Sequence, residues 1–263
     1  VNYFTAYPGL LSLGDQEGGN AGENREEVFL SPEEEIASLK ARILFLEKKL
    51  NLVGSVTRHD VLNQLTAVVG YNELLGMVIQ DETQKSYLER VQKATDKIRR
   101  QFRFAKDYQN IAAEPPRWQE VGGAVHAARE ALDSPAVKIT DCTGRAKVLA
   151  DPLLERAFFH IFENTLRHGG RATGIRITLH EEGDHALLVI EDDGTGIPAS
   201  DKEKIFERGF GKGIGWGLFL AREILAITGI TIAETGEPGK GARFVLTLPA
   251  GTFRENGKES PVL

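Results

Sequence analysis

His59 lies in Arg58-His59-Asp60-Val61-Leu62-Asn63. At about 100° per residue along a helix, His59 and Asn63 fall opposite the apolar positions Val61, Leu65, Val68, Leu75 and Ile79. An imidazole turned to solvent, with the Asp60 carboxylate beside it to take or orient its proton, is a nucleophile suited to accepting a phosphoryl group.

Three later segments carry residue types that suit a nucleotide. Asn164, Arg167 and His168 recur at helical spacing toward the end of Ala157–His168. An amide oxygen can complete a Mg²⁺ shell that keeps several waters, and Arg and His can donate to phosphate oxygens. The second segment is Asp192-Asp193-Gly194-Thr195-Gly196. A buried carboxylate there can accept the exocyclic amine of adenine, and Gly194 and Gly196 let the backbone approach the ring. The third runs Gly209-Phe210-Gly211-Lys212-Gly213-Ile214-Gly215-Trp216-Gly217-Leu218 into a helix, whose N–H groups and dipole form a phosphate cradle. It lacks the Lys-Ser/Thr ending of a Walker A loop and the βαβ setting of a dinucleotide fingerprint. Taken singly, the first segment also reads as a polar helix face and the second as a structural Asp-Gly turn.

These segments need a scaffold, and the chain is long enough to supply one. Its 263 residues are 41% hydrophobic and 27% charged, a composition that builds one or two domains with a real core. A net charge of −6 provides no electrostatic footprint for nucleic acid, so DNA and RNA are not expected partners. The single cysteine, Cys142, excludes an intrachain disulfide framework and fits a reducing, cytoplasmic setting. The best apolar stretch, Leu218–Ile227, is interrupted by Arg222 and Glu223, so no membrane span is expected. The sequence begins at Val1, which leaves room for an upstream sensor or membrane segment.

The order of elements reads as follows. Residues 1–30, with Gly14, Gly18, Gly19 and Gly22 close together, read as a tail or linker. Ser31-Pro32-Glu33-Glu34 supplies a cap, a proline at the first helical position and a capping-box glutamate. Ile36, Leu39, Ile43, Leu46, Leu50 and Val53 then follow at a/d spacing, a coiled-coil segment over 31–55. The steps Val53-Thr57-Val61 add a stutter near Gly54. Residues 56–112 read as a helical hairpin that turns at Asp81-Glu82-Thr83. Its second helix, about 83–110, carries Tyr87, Val91, Ala94, Ile98, Phe102 and Ala105 on one face. Two such hairpins make a dimeric four-helix bundle. Pro115-Pro116 ends the helical part. Residues 117–252 alternate helices with runs of adjacent strands, an α+β sandwich, and 253–263 read as a C-terminal tail.

In this order the motifs resemble the sensor histidine kinases of two-component signalling, whose ATP domain is shared with gyrase and Hsp90. The likeness spans roughly residues 31–250. It implies that His59-Asp60 is the phosphoacceptor box and Asn164 the Mg²⁺ ligand, with Arg167 and His168 on ATP phosphates. Asp192, Gly194 and Gly196 match the adenine motif, and Phe206 and Phe210 the aromatic box. Gly213, Gly215 and Gly217 match the second glycine box, next to Lys212 and Leu218, and Gly239-Lys240-Gly241-Ala242-Arg243-Phe244 the closing strand. The implied activity is autophosphorylation of His59 from Mg-ATP and transfer to an aspartate of a response-regulator receiver domain, by a homodimer.

Asn63 resembles the residue that one kinase branch uses to position water for regulator dephosphorylation, and Gln64 fits another branch's motif. Asn63, about 40° from His59 around the helix, is the favoured of the two. His160 departs from the family, which often has Asn there, and the lid Ala199–Lys212 is short. An anti-sigma-type serine kinase and a non-catalytic ATP-sensing scaffold are the competing functions. Arg99-Arg100 and Asp201-Lys202-Glu203-Lys204 read as solvated faces, and Trp118 as packing between domains.

Overall fold

The computed structural model describes residues 31–132, 137–211 and 215–254. The expected tail of residues 1–30, most of the expected C-terminal tail, and the site candidates Lys212 and Gly213 lie outside the described residues. Contacts divide the chain into residues 1–48 and 49–263.

In the first unit the capping box forms as its residue types dictate. The Ser31 hydroxyl accepts the Glu34 N–H at 3.3 Å, and Glu34 Oε2 accepts the Ser31 N–H at 2.8 Å. Helix α1 (Pro32–Val78) begins here. Ile36, Leu39, Ile43 and Leu46 are all exposed, so none of the described residues covers the a/d stripe.

In the second unit α1 runs without a break through Gly54 and His59, and the expected stutter leaves no gap in the helix. Helix α2 (Glu82–Asn110) is capped by Asp81, whose side chain accepts the Gln84 N–H at 2.9 Å. Contacts of Arg58 and Asn51 with Gln109, and of Asn72 with Leu88 and Gln92, make the two helices antiparallel. Their seam is narrow and partly polar: Leu65 and Thr95 are buried, with Asn72 hydrogen-bonded to the Leu88 carbonyl at 3.2 Å. Of the predicted stripes, Val68, Leu75, Tyr87, Val91 and Ile98 remain exposed. Two helices have too little surface to bury both their apolar faces, so the hairpin presents a stripe that a second layer could cover.

Beyond Pro116 the chain builds two sheets and a helical layer. The elements are β1 (Arg117–Glu120), α3 (Val121–Glu130), β2 (Lys138–Asp141), β3 (Lys147–Ala150), α4 (Leu154–His168), β4 (Gly174–Glu182), β5 (His185–Asp192), α5 (Gly217–Ala226), β6 (Thr231–Glu234), β7 (Arg243–Leu248) and β8 (Phe253–Arg254). The larger sheet has the order β2-β4-β5-β7-β6, antiparallel except for the β2–β4 pair, and the smaller has the order β1-β3-β8. Alternation places Ile175 and Ile177 of β4, Leu188 and Ile190 of β5, and Phe244, Leu246 and Leu248 of β7 in one core with Phe158, Phe162, Leu220 and Ile224 from α4 and α5. This is the expected α+β sandwich.

In the small sheet Trp118 lies in β1, and the Arg254 guanidinium of β8 sits 3.9 Å from its ring centroid.

The end of α2 is fixed to this domain. Phe104 packs on Trp216 at 4.4 Å between ring centroids and Tyr108 stacks on Phe219 at 6.1 Å. Buried Asp107 pairs with Arg156 at 3.7 Å. Fully buried Asp151 accepts the N–H of Ala112 and, with its other oxygen, that of Leu153, both at 2.8 Å.

Candidate functional site

Two groups of residues emerge, and the structure keeps them apart. The first is on α1. The His59 side chain is 73% exposed, with Nδ1 3.2 Å from Asp60 Oδ1. One turn later, the Asn63 amide nitrogen stands 3.3 Å from Nδ1 and 3.4 Å from Nε2. The i, i+4 step of a helix brings Asn63 under the ring. A tautomer with the proton on Nδ1, donated to Asp60, leaves the Nε2 lone pair facing outward.

The second group surrounds a cavity of about 510 Å³, within the roughly 300–1,000 Å³ of small-molecule sites. From α4, His160, Glu163, Asn164, Arg167 and His168 line it. Gly196 contributes from the loop after β5, and Phe210, Gly215, Gly217 and Leu218 from the segment leading into α5. Among the described residues helix α5 has no side-chain cap at its N-terminus, and first-turn N–H groups with the helix dipole behind them favour an anion. Gly215 has φ +67°, and a Cβ there would collide with the backbone of Gly209 and Phe210. Only glycine allows that close return of the loop.

Asp192 and Gly194 are not among the lining residues. They stand at the end of β5, before Gly196, which does line the cavity. Asp192 Oδ1 accepts the N–H groups of Gly194 and Ala242, each at 2.9 Å, and Oδ2 accepts the Thr165 hydroxyl at 2.6 Å. One carboxylate thus joins α4, the β5 loop and the start of β7. Its neighbour Asp193 is turned the other way. The Thr173 hydroxyl, with the Gly174 and Thr173 N–H groups, lowers its pKa to about 2.

Within the cavity the charges are unequal. Arg167 pairs with Glu163 at 2.8 Å. Burial pushes the Glu163 carboxyl up, but His160 and Arg167 together outweigh it and hold it below its usual range. The His160 side chain is 10% exposed, and neither of its ring nitrogens has a hydrogen-bond partner. It lies against Gly217, where a Cβ would stand 3.2 Å from Nδ1. Among the described residues no group of three His, Cys, Asp or Glu could hold a metal. Asn164, whose amide oxygen is a ligand type that Mg²⁺ accepts alongside water, lines the cavity.

The aromatic pair separates. Phe206 is buried and meets Phe244 edge to face, whereas Phe210 lines the cavity. Two expected solvated faces are not so. Lys202 forms an ion pair at 2.8 Å with Glu234, whose side chain is fully buried, and this ties the start of the lid to β6. Arg100 faces the cavity, together with Arg103 and Phe104. The Glu234 that Lys202 pairs with and the other walls of the cavity that Arg100 lines are far away in sequence, so helical periodicity alone does not reveal these placements.

Residues 150–252 match the model of the histidine kinase-, DNA gyrase B- and HSP90-like ATPases. The alginate biosynthesis sensor protein KinB of Pseudomonas aeruginosa is 41% identical over 101 residues, covering 36% of this chain and 17% of KinB. The sensor protein KdpD of Escherichia coli K12 is 26% identical over 249 residues, 88% of this chain and 27% of KdpD. The chain therefore spans well under a third of either relative. The fold is similar to that of full-length ShkA in complex with AMPPNP, with a TM-score of 0.54 at 21% identity over 76% of this chain and 46% of ShkA. Among the described residues no helix is long and apolar enough to cross a membrane. Residues 150–252 thus form a domain of the histidine kinase-, DNA gyrase B- and HSP90-like ATPase family, and the chain around it is similar to sensor proteins.

Proposed function

We propose that this chain is an ATP-dependent protein histidine kinase that phosphorylates itself on His59 and passes the phosphoryl group to an aspartate of a response-regulator receiver domain. The observation that carries this reading is the exposed His59 held at Nδ1 by Asp60, on the same chain as the α4–α5 cavity. Nε2 attacks the γ-phosphorus in line. The N–P bond forms as the bond to the β–γ bridging oxygen breaks, ADP departs, and Asp60 takes the Nδ1 proton.

The rest of the site positions the substrate and spreads charge. Asp192 accepts the adenine amine, and Gly194 and Gly196 admit the ring. Arg167, His168 and the N–H groups at Gly217 and Leu218 receive phosphate oxygens. Phe210 and Gly215 form the lid side, and Lys212 and Gly213, which stand between them in the sequence, are assigned to nucleotide binding with them. Mg²⁺, held by Asn164, would neutralise charge on the phosphates when bound.

The uncovered stripe on the hairpin supports a homodimer built as a four-helix bundle. Asn63, in contact with the His59 ring, supports a second activity in which its amide positions water for dephosphorylation of the regulator. Gln64 is not among the ring's contacts. The location that goes with this reading is cytoplasmic, with any membrane attachment upstream.

The chemistry of the product tests it. After incubation with Mg²⁺ and γ-labelled ATP, the chain should carry label that is lost in acid and kept in base. Label that resists acid and is removed by base belongs to a serine kinase and would overturn the reading.

A further inference from the structure

We propose that Arg100 and Arg103 of α2 bind the phosphate end of the nucleotide, so that the hairpin supplies part of the ATP site. This rests on the reading of the cavity as that site.

The two arginines lie one turn apart on one helix face and both line the cavity. Among the described residues, neither has an ion pair or a hydrogen bond. Arg167, the other arginine of the cavity, already has Glu163 as its partner. Arg100 and Arg103 are therefore charges without an ion-pair partner among the described residues, on the wall of a cavity that Gly217, at the N-terminus of α5, also lines.

Phe104, next to Arg103, packs on Trp216, next to Gly217, and this contact puts the arginines toward the phosphate end. Asn164, Arg167 and Gly217 line the cavity, and Asp192, the group suited to adenine, does not. A guanidinium presents a planar fork that matches phosphate oxygens in pairs. The helix that carries the arginines is held in place. Just beyond them, Phe104 packs on Trp216 and Asp107 pairs with Arg156. The forks are thus offered by a fixed element and need little ordering on binding.

Affinity should then depend on the number of phosphates. Binding of ATP, ADP and adenosine to the full chain in Mg²⁺ is measured by calorimetry or equilibrium dialysis, for wild type and for Arg100→Ala/Arg103→Ala. The double variant should bind ATP roughly ten-fold or more weakly, since hydrogen bonds to charged groups are the stronger ones. It should lose less for ADP and bind adenosine as wild type does, which also shows that the fold is kept. Equal ATP affinity in the two proteins would overturn the proposal and leave the ATP-binding reading standing. A parallel loss for adenosine would overturn it too, because that marks a purely structural role. A wild-type chain that binds none of the three would overturn both.

Discussion

Asp192→Asn should leave the ATPase domain folded and weaken ATP binding roughly a hundred-fold, whereas Asp192→Ala should damage the fold itself. The difference follows from the atoms. Oδ1 accepts two backbone N–H groups, from Gly194 and Ala242, and Oδ2 accepts the Thr165 hydroxyl. Asparagine keeps one oxygen for the two N–H groups. Its amide nitrogen can donate to the Thr165 hydroxyl oxygen, so the three elements stay joined. That same nitrogen is a donor where the exocyclic amine of adenine needs an acceptor, so two donors face each other. Alanine strands all three donors at a half-buried site. At about 1–3 kcal/mol for each unsatisfied group, a loss of at least about 3 kcal/mol is expected, a large part of a domain's typical stability. Thermal unfolding and ATP titration on both variants separate the two effects. An asparagine variant that binds ATP like wild type would remove Asp192 from the adenine contact.

The second large effect is at Gly241, in the strand-closing segment Gly239-Lys240-Gly241-Ala242-Arg243-Phe244. Its φ is +102°, and a Cβ would fall on the carbonyl oxygen of Asp192. There is no room to yield, because β5 and β7 are joined there in both directions. The Asp192 N–H donates to the Ala242 carbonyl at 3.0 Å, and the Ala242 N–H to Asp192 Oδ1 at 2.9 Å. Gly241→Ala must open this pair and displace Asp192. A loss of about 3–5 kcal/mol in denaturant unfolding is expected, with ATP affinity falling as well. Gly239→Ala is the control. Gly239 also has positive φ, +88°, but nothing lies within 4 Å of its Cβ position, so only the backbone strain of about 1 kcal/mol applies. Equal losses at the two positions would show that the clash with Asp192 is not what makes Gly241 necessary.

Local chemistry was readable wherever a residue's partner lies within a few positions. The Ser31/Glu34 capping box, the Asp81 cap of α2, the approach of Asn63 to His59 and the strand-to-helix order around Asp192 all follow from spacing. Strands β1 and β8 were not readable, since four and two residues are too few to establish a period of two. Both exist because β3 lies between them. Arg100 and Lys202 read as solvated because each sits in a charged run, yet one faces the cavity and the other pairs with buried Glu234. Glu234 and the other walls of the cavity are on other elements, and no pattern within a helix or a lid encodes them. The hairpin gives the opposite lesson. Its apolar periodicity is plain, but the chain does not bury it, since that requires a surface beyond two helices.

The central claim is that His59 receives the phosphoryl group from ATP bound in a cavity that His59 itself does not line. Incubation with Mg²⁺ and γ-labelled ATP of wild type beside His59→Ala, with ATP affinity measured on both, tests it most directly. Wild type should take up label and His59→Ala none, with the two binding ATP equally. Label persisting on His59→Ala would contradict the account.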